Sequence, residues 1–220
     1  MGVEVVEAKQ HFDAELVPQA AGFLVPGSVR GRGRFLALGH QTGDLIALGR
    51  LLREGVGVRW ATMAFFEQGR TFPAGTLLVP RSARPRLETL ARELGVSAQG
   101  VDGRPASLTA KLPRVGLYQS WVASMDEGWT RFVFERQLGL PYQTLHDREV
   151  RAGHLRSRFD AIVLPDQPRS QILDGQAAGS LPDEYTGGLG KGGVTALKTF
   201  VQEGGTLVAL NAASRLVVQE

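Results

Sequence analysis

Between Asp183 and Ser214 the chain reads DEYTGGLGKGGVTALKTFVQEGGTLVALNAAS, and this run leaves little freedom for what surrounds it. A loop with Gly187, Gly188, Gly190, Gly192 and Gly193 enters a helix whose Val194, Leu197, Phe200 and Val201 fall on one face. Gly204-Gly205 ends the helix, because glycine tolerates the positive φ that a helix C-terminus asks for. TLVAL follows as an unbroken apolar strand. A strand of that kind directly behind a helix predicts a parallel strand buried on both faces. Asn211-Ala212-Ala213-Ser214 then predicts a strand-to-helix turn.

The same alternation extends upstream. Residues 1–34 show weak periodicity and predict a linker or extended segment with a short strand and a turn. From Phe35 to residue 112 the order is strand (FLALG), helix (Leu45 to Leu52, capped by Thr42 or Asp44), strand (VGVRWATMAFF, with Val56, Val58, Trp60 and Met63 inward), strand (TLLVP), helix (RLETLARELG) and strand (VSAQGV). That order predicts a small α+β unit of the ferredoxin-like, split βαβ kind. Asp102 to Pro113 is polar, carries two prolines and lacks an apolar period, and so predicts the boundary.

Residues 113–220 form the second domain. Arg114–Tyr118, Tyr142–Leu145, Phe159–Leu164 and TLVAL predict strands, with helices between them. Ser124-Met-Asp-Glu127 opens one helix as a capping box, and Arg148 to Arg158 predicts a short one. Strand–helix alternation with apolar strands argues a doubly wound parallel sheet. Ligands of such sheets sit beyond the carboxyl ends of the strands. Those ends carry Tyr118 to Trp121, Asp147, Asp166-Gln167 and Asn211.

Composition narrows the partners. The 220 residues are 43% hydrophobic, enough for a sizeable core, and the formal net charge is only +3. The basic residues are scattered among the acids, which argues a solvated surface and no nucleic-acid groove. Arg30, Arg32 and Arg34 form the densest basic run, and their Gly-Arg-Gly-Arg context predicts a loop, with an anion site as the sharper alternative. With no cysteine there is no thiolate nucleophile and no Cys-ligated zinc. No membrane-length apolar segment or signal peptide is present in the sequence. Met1-Gly2 followed by VEVVEAKQHF reads as a boundary cut from a longer chain.

The matching segments RVGLYQSW, MDEGWTRFVFE, FDAIVLPDQ and GGLGKGGVTALKTFVQEGGTLVALNAAS resemble the glutamine-amidotransferase-like (class I, flavodoxin-type) domain that follows the catalytic domain of certain bacterial M14-family zinc carboxypeptidases. MDEGWTR is the most specific piece. Residues from about Gly22 to Val101, with GRLLREGVGVRWA and FPAGTLLVP, resemble the connecting segment upstream of that domain. The resemblance implies a flavodoxin-like sheet in a degenerate, truncated amidotransferase-like domain. It also implies a zinc-bearing peptidase domain upstream as partner, an exported (periplasmic or secreted) parent, and an accessory role in scaffolding, substrate presentation or docking.

Amidotransferase chemistry does not carry over. Class I enzymes present a cysteine at the elbow where this chain has Asn211, and a carboxamide cannot hold an acyl intermediate. Zinc chemistry does not carry over either. His146-x-x-Glu149 is a literal His-x-x-Glu, but no third histidine follows in a suitable element; the plainer reading is a strand end followed by a helix start. No cofactor is expected in this chain, and an oligomer is compatible with it.

The candidate pocket is Ser120, Trp121, Asp126, Glu127, Asp166, Gln167, Gly188, Gly190 and Asn211. Ser120 reads as a turn hydroxyl or, alternatively, as the nucleophile of a small-molecule hydrolase with Asp166 and Asn211. Gly188 and Gly190, with Lys191, lie in a loop that suits either tight packing or an anion at the helix N-terminus. Trp121 and Tyr185 would serve a glycan- or peptide-binding module. The bland alternative for Trp121 and Trp129 is burial in an interdomain core.

Overall fold

Strand and helix alternate through the computed structural model, which describes residues 7, 9–11, 13–15, 18 and 25–220, and they enclose separate cores. The chain divides into two units, Met1–Lys111 and Leu112–Glu220. Most of the linker expected over 1–24 lies outside the described residues.

In the first unit the elements are β1 (Val29–Arg30), β2 (Phe35–Leu38), α1 (Thr42–Arg53), β3 (Arg59–Ala61), β4 (Phe65–Glu67), β5 (Arg70–Phe72), β6 (Leu77–Pro80), α2 (Arg84–Leu94), β7 (Ala98–Val101) and β8 (Ser107–Thr109). The sheet runs β1-β7-β2-β6-β3-β8. In its middle, β7, β2, β6 and β3 are mutually antiparallel neighbours, so the β2-α1-β3 and β6-α2-β7 crossovers interlock. Two interlocked split βαβ units leave one sheet face to both helices. Leu36, Leu38 and Val79 of the sheet pack there with Leu51 of α1 and Leu87 and Leu90 of α2.

Several local expectations change. The residue before α1 is Gln41, and Asp44 reaches back to accept its backbone N–H at 3.0 Å, so neither Thr42 nor Asp44 is the N-cap. The stretch predicted as one strand from Val56 to Phe66 is two: β3 stops at Ala61, and Phe65–Glu67 pairs instead with Arg70–Phe72 as a hairpin. Trp60 and Met63 are exposed, whereas Val58 is fully buried. Val29–Arg30 pairs parallel with Ala98–Gln99, and the polar boundary stretch contributes β8 against β3.

In the second unit β9 (Val115–Tyr118) leads to α3 (Met125–Phe132), which runs on as a π-helical turn, Val133–Leu138, closed by Gly139 at φ 56°. Then come β10 (Tyr142–Leu145), α4 (Asp147–Arg151), α5 (Leu155–Arg158), β11 (Ala161–Leu164), α6 (Arg169–Asp174), α7 (Gly190–Gln202), β12 (Thr206–Ala209) and α8 (Ser214–Gln219), with 3-10 turns at Asp183–Tyr185 and Asn211–Ala213. All four strands are parallel, in the order β10-β9-β11-β12. The expected helix from Arg148 to Arg158 is broken, because Gly153 and His154 both adopt positive φ. The core joins Tyr118, Leu145, Ile162 and Leu164 to Leu197 and Phe200 of α7.

Two burial expectations are corrected here. β12 is the edge strand of its sheet among the described residues, and Val208 is 38% exposed, so the apolar run TLVAL is not buried on both faces. On α7, Val194, Leu197 and Phe200 face inward as spaced, while Val201 faces out.

Candidate functional site

In a sheet ordered β10-β9-β11-β12 the chain reverses its direction of progression between β9 and β11, and a crevice opens beyond the carboxyl ends at that point. The loops after the four strands therefore converge. They bring together three small side-chain groups.

The first group follows from strand register. Tyr118 pairs with Leu145, which sets the residues that follow β9 beside those that follow β10. Tyr118 Oη donates to Asp147 Oδ1 at 2.6 Å, and both residues are 1% exposed. Burial raises the pKa of Asp147 against the opposing pull of this hydrogen bond and of Arg151. Burial, with the Asp147 charge, likewise pushes the Tyr118 phenol far above its ordinary value. Asp147 Oδ2 is buried with no hydrogen-bond partner. Ser120 is buried nearby, and its Oγ accepts the Val122 N–H at 3.1 Å, which is the turn role. No imidazole bonds to that hydroxyl among the described residues.

The second group is aromatic. Trp121 stacks face to face on His146, with centroids 4.0 Å apart and planes 6° from parallel, and Tyr185 meets the indole edge-on at 4.7 Å. His146 Nδ1 lies 2.9 Å from Gln119 O, so this nitrogen carries a proton and donates to the carbonyl. The His146 backbone N–H donates to Glu149 Oε2 at 2.7 Å. Glu149 is thus the N3 partner of its own helix start. Among the described residues no group of three or more His, Asp or Glu side chains converges in metal-binding fashion.

Asp166 organises the third group. Its carboxylate accepts Asn211 Nδ2 at 2.6 Å and the Ala212 N–H at 3.0 Å. Asn211 itself sits at φ 43°, a left-handed backbone position uncommon outside glycine. Behind Asp166, Ser124 Oγ donates to its carbonyl at 3.3 Å and accepts the Glu127 N–H at 3.2 Å as the N-cap of α3. Gln167, 4% exposed, donates to Val122 O at 3.1 Å and to Gln171 Oε1 at 3.3 Å. These bonds cross-link the loops after β9, β11 and β12.

The remaining predicted residues serve structure. Glu127 does not reach back to complete the capping box; it is buried and pairs with Arg131 one turn on. Asp126 is exposed in the first turn of α3. Gly188 packs so close to α6 that a Cβ would lie 2.6 Å from Ile172 O, and its carbonyl accepts from Arg151. Gly190, at φ 52°, begins α7. Trp129 is 59% exposed, so its expected core burial does not occur.

Tyr118, Asp147 and Gln167 were named at the strand ends, but three relationships were not legible in the sequence: the Tyr118–Asp147 bond, the stacking of His146 on Trp121, and the cross-link made by Gln167. Tyr118 is the register partner of Leu145, and His146 and Asp147 follow Leu145 at the start of α4; no local pattern marks that adjacency. A concavity of about 460 Å3 in this unit lies elsewhere, along α7, β12 and α8.

No family model matches the chain, and neither the curated proteins nor the solved structures contain a significant match to it.

Proposed function

We propose that this chain is a non-catalytic accessory region that presents a binding surface at the carboxyl edge of its parallel sheet. The observation that carries the reading is the state of Asn211. Its carboxamide occupies the elbow after the last parallel strand and is spent on Asp166. A carboxamide has no ionisable nucleophile, and the neighbouring carboxylate is engaged twice, by Asn211 and by the Ala212 amide. Ser120, the other nucleophile candidate, has its hydroxyl in a turn without a base upon it.

In finer terms, the second unit is flavodoxin-like, a degenerate amidotransferase relative, and the first is ferredoxin-like. The parallel order β10-β9-β11-β12 and the interlocked antiparallel order of the first sheet support those assignments. The whole chain then serves a bacterial M14-type zinc carboxypeptidase of which it is a part, with zinc held by the peptidase domain. The ligand class is an extended peptide or glycan, recognised by Trp121 and Tyr185, since an indole and a phenol set edge to face offer apolar area with a polar rim.

The test is titration of intrinsic tryptophan fluorescence with short peptides and cell-wall oligosaccharides, alongside an amidase and esterase screen. Wild type is expected to respond saturably, Trp121→Ala to lose the response, and neither to hydrolyse any substrate. Turnover abolished by Ser120→Ala would overturn the non-catalytic reading. A response unchanged in Trp121→Ala would overturn the aromatic surface.

A further inference from the structure

The run Arg30-Gly31-Arg32-Gly33-Arg34 acquires neighbours that its sequence does not show. The Arg81 N–H donates to Arg34 O at 3.1 Å, which holds the start of the helical segment Arg81–Leu94 against this loop. Arg84 reaches back across it. Its Nη1 donates to Val29 O at 3.2 Å and its Nη2 to Gly31 O. The outcome is a concavity of about 470 Å3 lined by Gly31, Arg32, Arg81 and Arg84. Three arginines, from two segments some fifty positions apart, line one space.

Their charge is weakly opposed. Glu88 pairs with Arg84 at 3.3 Å, whereas Arg32 and Arg81 have no carboxylate partner among the described residues. Asp102 accepts the Arg34 backbone N–H at 2.9 Å. Arg84 is a fixed floor, pinned by two carbonyls, while Arg32 and Arg81 are exposed and have their donors to give. The first turn of the helical segment adds its positive end on the same side.

We propose that this concavity binds a small phosphate-bearing molecule. Guanidinium forks match the paired oxygens of a phosphate, and two free forks, Arg32 and Arg81, beside the pinned Arg84 call for a ligand with more than one negative charge. A monocarboxylate would satisfy one of the two free forks and leave the other unneutralised. The volume exceeds that of a lone ion and falls in the range of small-ligand sites, which admits a diphosphate or a phosphate ester. This site belongs to the first unit and is independent of the aromatic surface proposed above.

The experiment is isothermal titration of the full chain with inorganic pyrophosphate at fixed ionic strength, with citrate as the non-phosphate polyanion. Saturable one-to-one binding is expected, weaker by about tenfold in Arg32→Ala and in Arg81→Ala, as loss of a charge-assisted hydrogen bond implies. Arg136→Ala, an exposed arginine of the other unit, should leave it unchanged. Circular dichroism of each variant confirms the fold, and Arg81→Lys provides a second, milder probe of fork geometry. Absence of saturable binding, or equal weakening in Arg136→Ala, would overturn the proposal. So would citrate binding as tightly as pyrophosphate.

Discussion

Asp147 is held where a carboxylate is costly. It is buried beneath the end of β9, one oxygen accepts from Tyr118, and the other has no partner. Burial raises its pKa, so the fold favours the protonated acid. The sign follows from linkage. A carboxyl whose folded pKa lies above its unfolded value contributes its share of stability below the unfolded value, and that share drains away as pH rises through the folded one. Asp147→Asn keeps an oxygen for the Tyr118 hydroxyl and removes the charge. It is therefore expected to melt at a higher temperature than wild type at pH 7 to 8, the advantage shrinking toward pH 4. Thermal denaturation across that range is the measurement, and a variant less stable than wild type at pH 8 would contradict this account.

At the scale of elements, the connection from β11 to α7 depends on a close backbone approach. Gly175 ends α6 at φ 60°, and Gln176 and Gly187 form an isolated antiparallel bridge just beyond it. A Cβ on Gly175 would lie 1.7 Å from Gly187 O, a contact that only movement of the main chain could relieve. Gly175→Ala is expected to cost about 1–3 kcal/mol or more, through overpacking together with the left-handed φ. Chemical denaturation reads it directly. The reduced midpoint should come with faster hydrogen exchange at the Gly187 amide, which donates to Gln176 O at 2.8 Å.

For the molecule as a whole, two cores lie on either side of Lys111–Leu112. Ala110 and Arg114 bracket the junction, the Ala110 N–H donating to Val58 O and the Arg114 carbonyl accepting from the Asp160 N–H. Residues 111–113 between them have no such tie. Limited trypsin treatment is expected to yield an early cut after Lys111, seen by mass spectrometry as complementary fragments. First cleavage inside a folded element, after Arg92 of α2 or Arg131 of α3, would contradict the boundary.

Much of this architecture was legible because helices and strands have different apolar periods. The α2 face (Leu87, Leu90, Ala91), Val194, Leu197 and Phe200 of the α7 face, and the strands Phe35–Leu38 and Val115–Tyr118 were readable from spacing and glycine stops. What spacing cannot supply is a strand's place in its sheet. TLVAL is as apolar as an interior strand, yet it lies at an edge, and Trp60 follows the alternation of a core strand while facing solvent. The candidate site was legible as a set of strand ends, Ser120, Asp166 and Asn211 among them. The bonds between them were not, because the Tyr118–Asp147 and Asn211–Asp166 contacts each join residues far apart in the chain. The same limit hid the arginine cluster, which only the β1-β7-β2-β6 order assembles.

Asp160 has a mechanical consequence. Its carboxylate accepts from the Arg114 backbone N–H and guanidinium and from Arg156, so the first residue before β9 is moored at several points to the α5–β11 corner. A pull delivered through residues 111–113 would load that mooring in shear before any strand could be peeled from the sheet. Part of any such load therefore falls on charge at the sheet's doorstep, and high salt should weaken that hold, while the arginines keep the Asp160 carboxyl charged through ordinary acid pH.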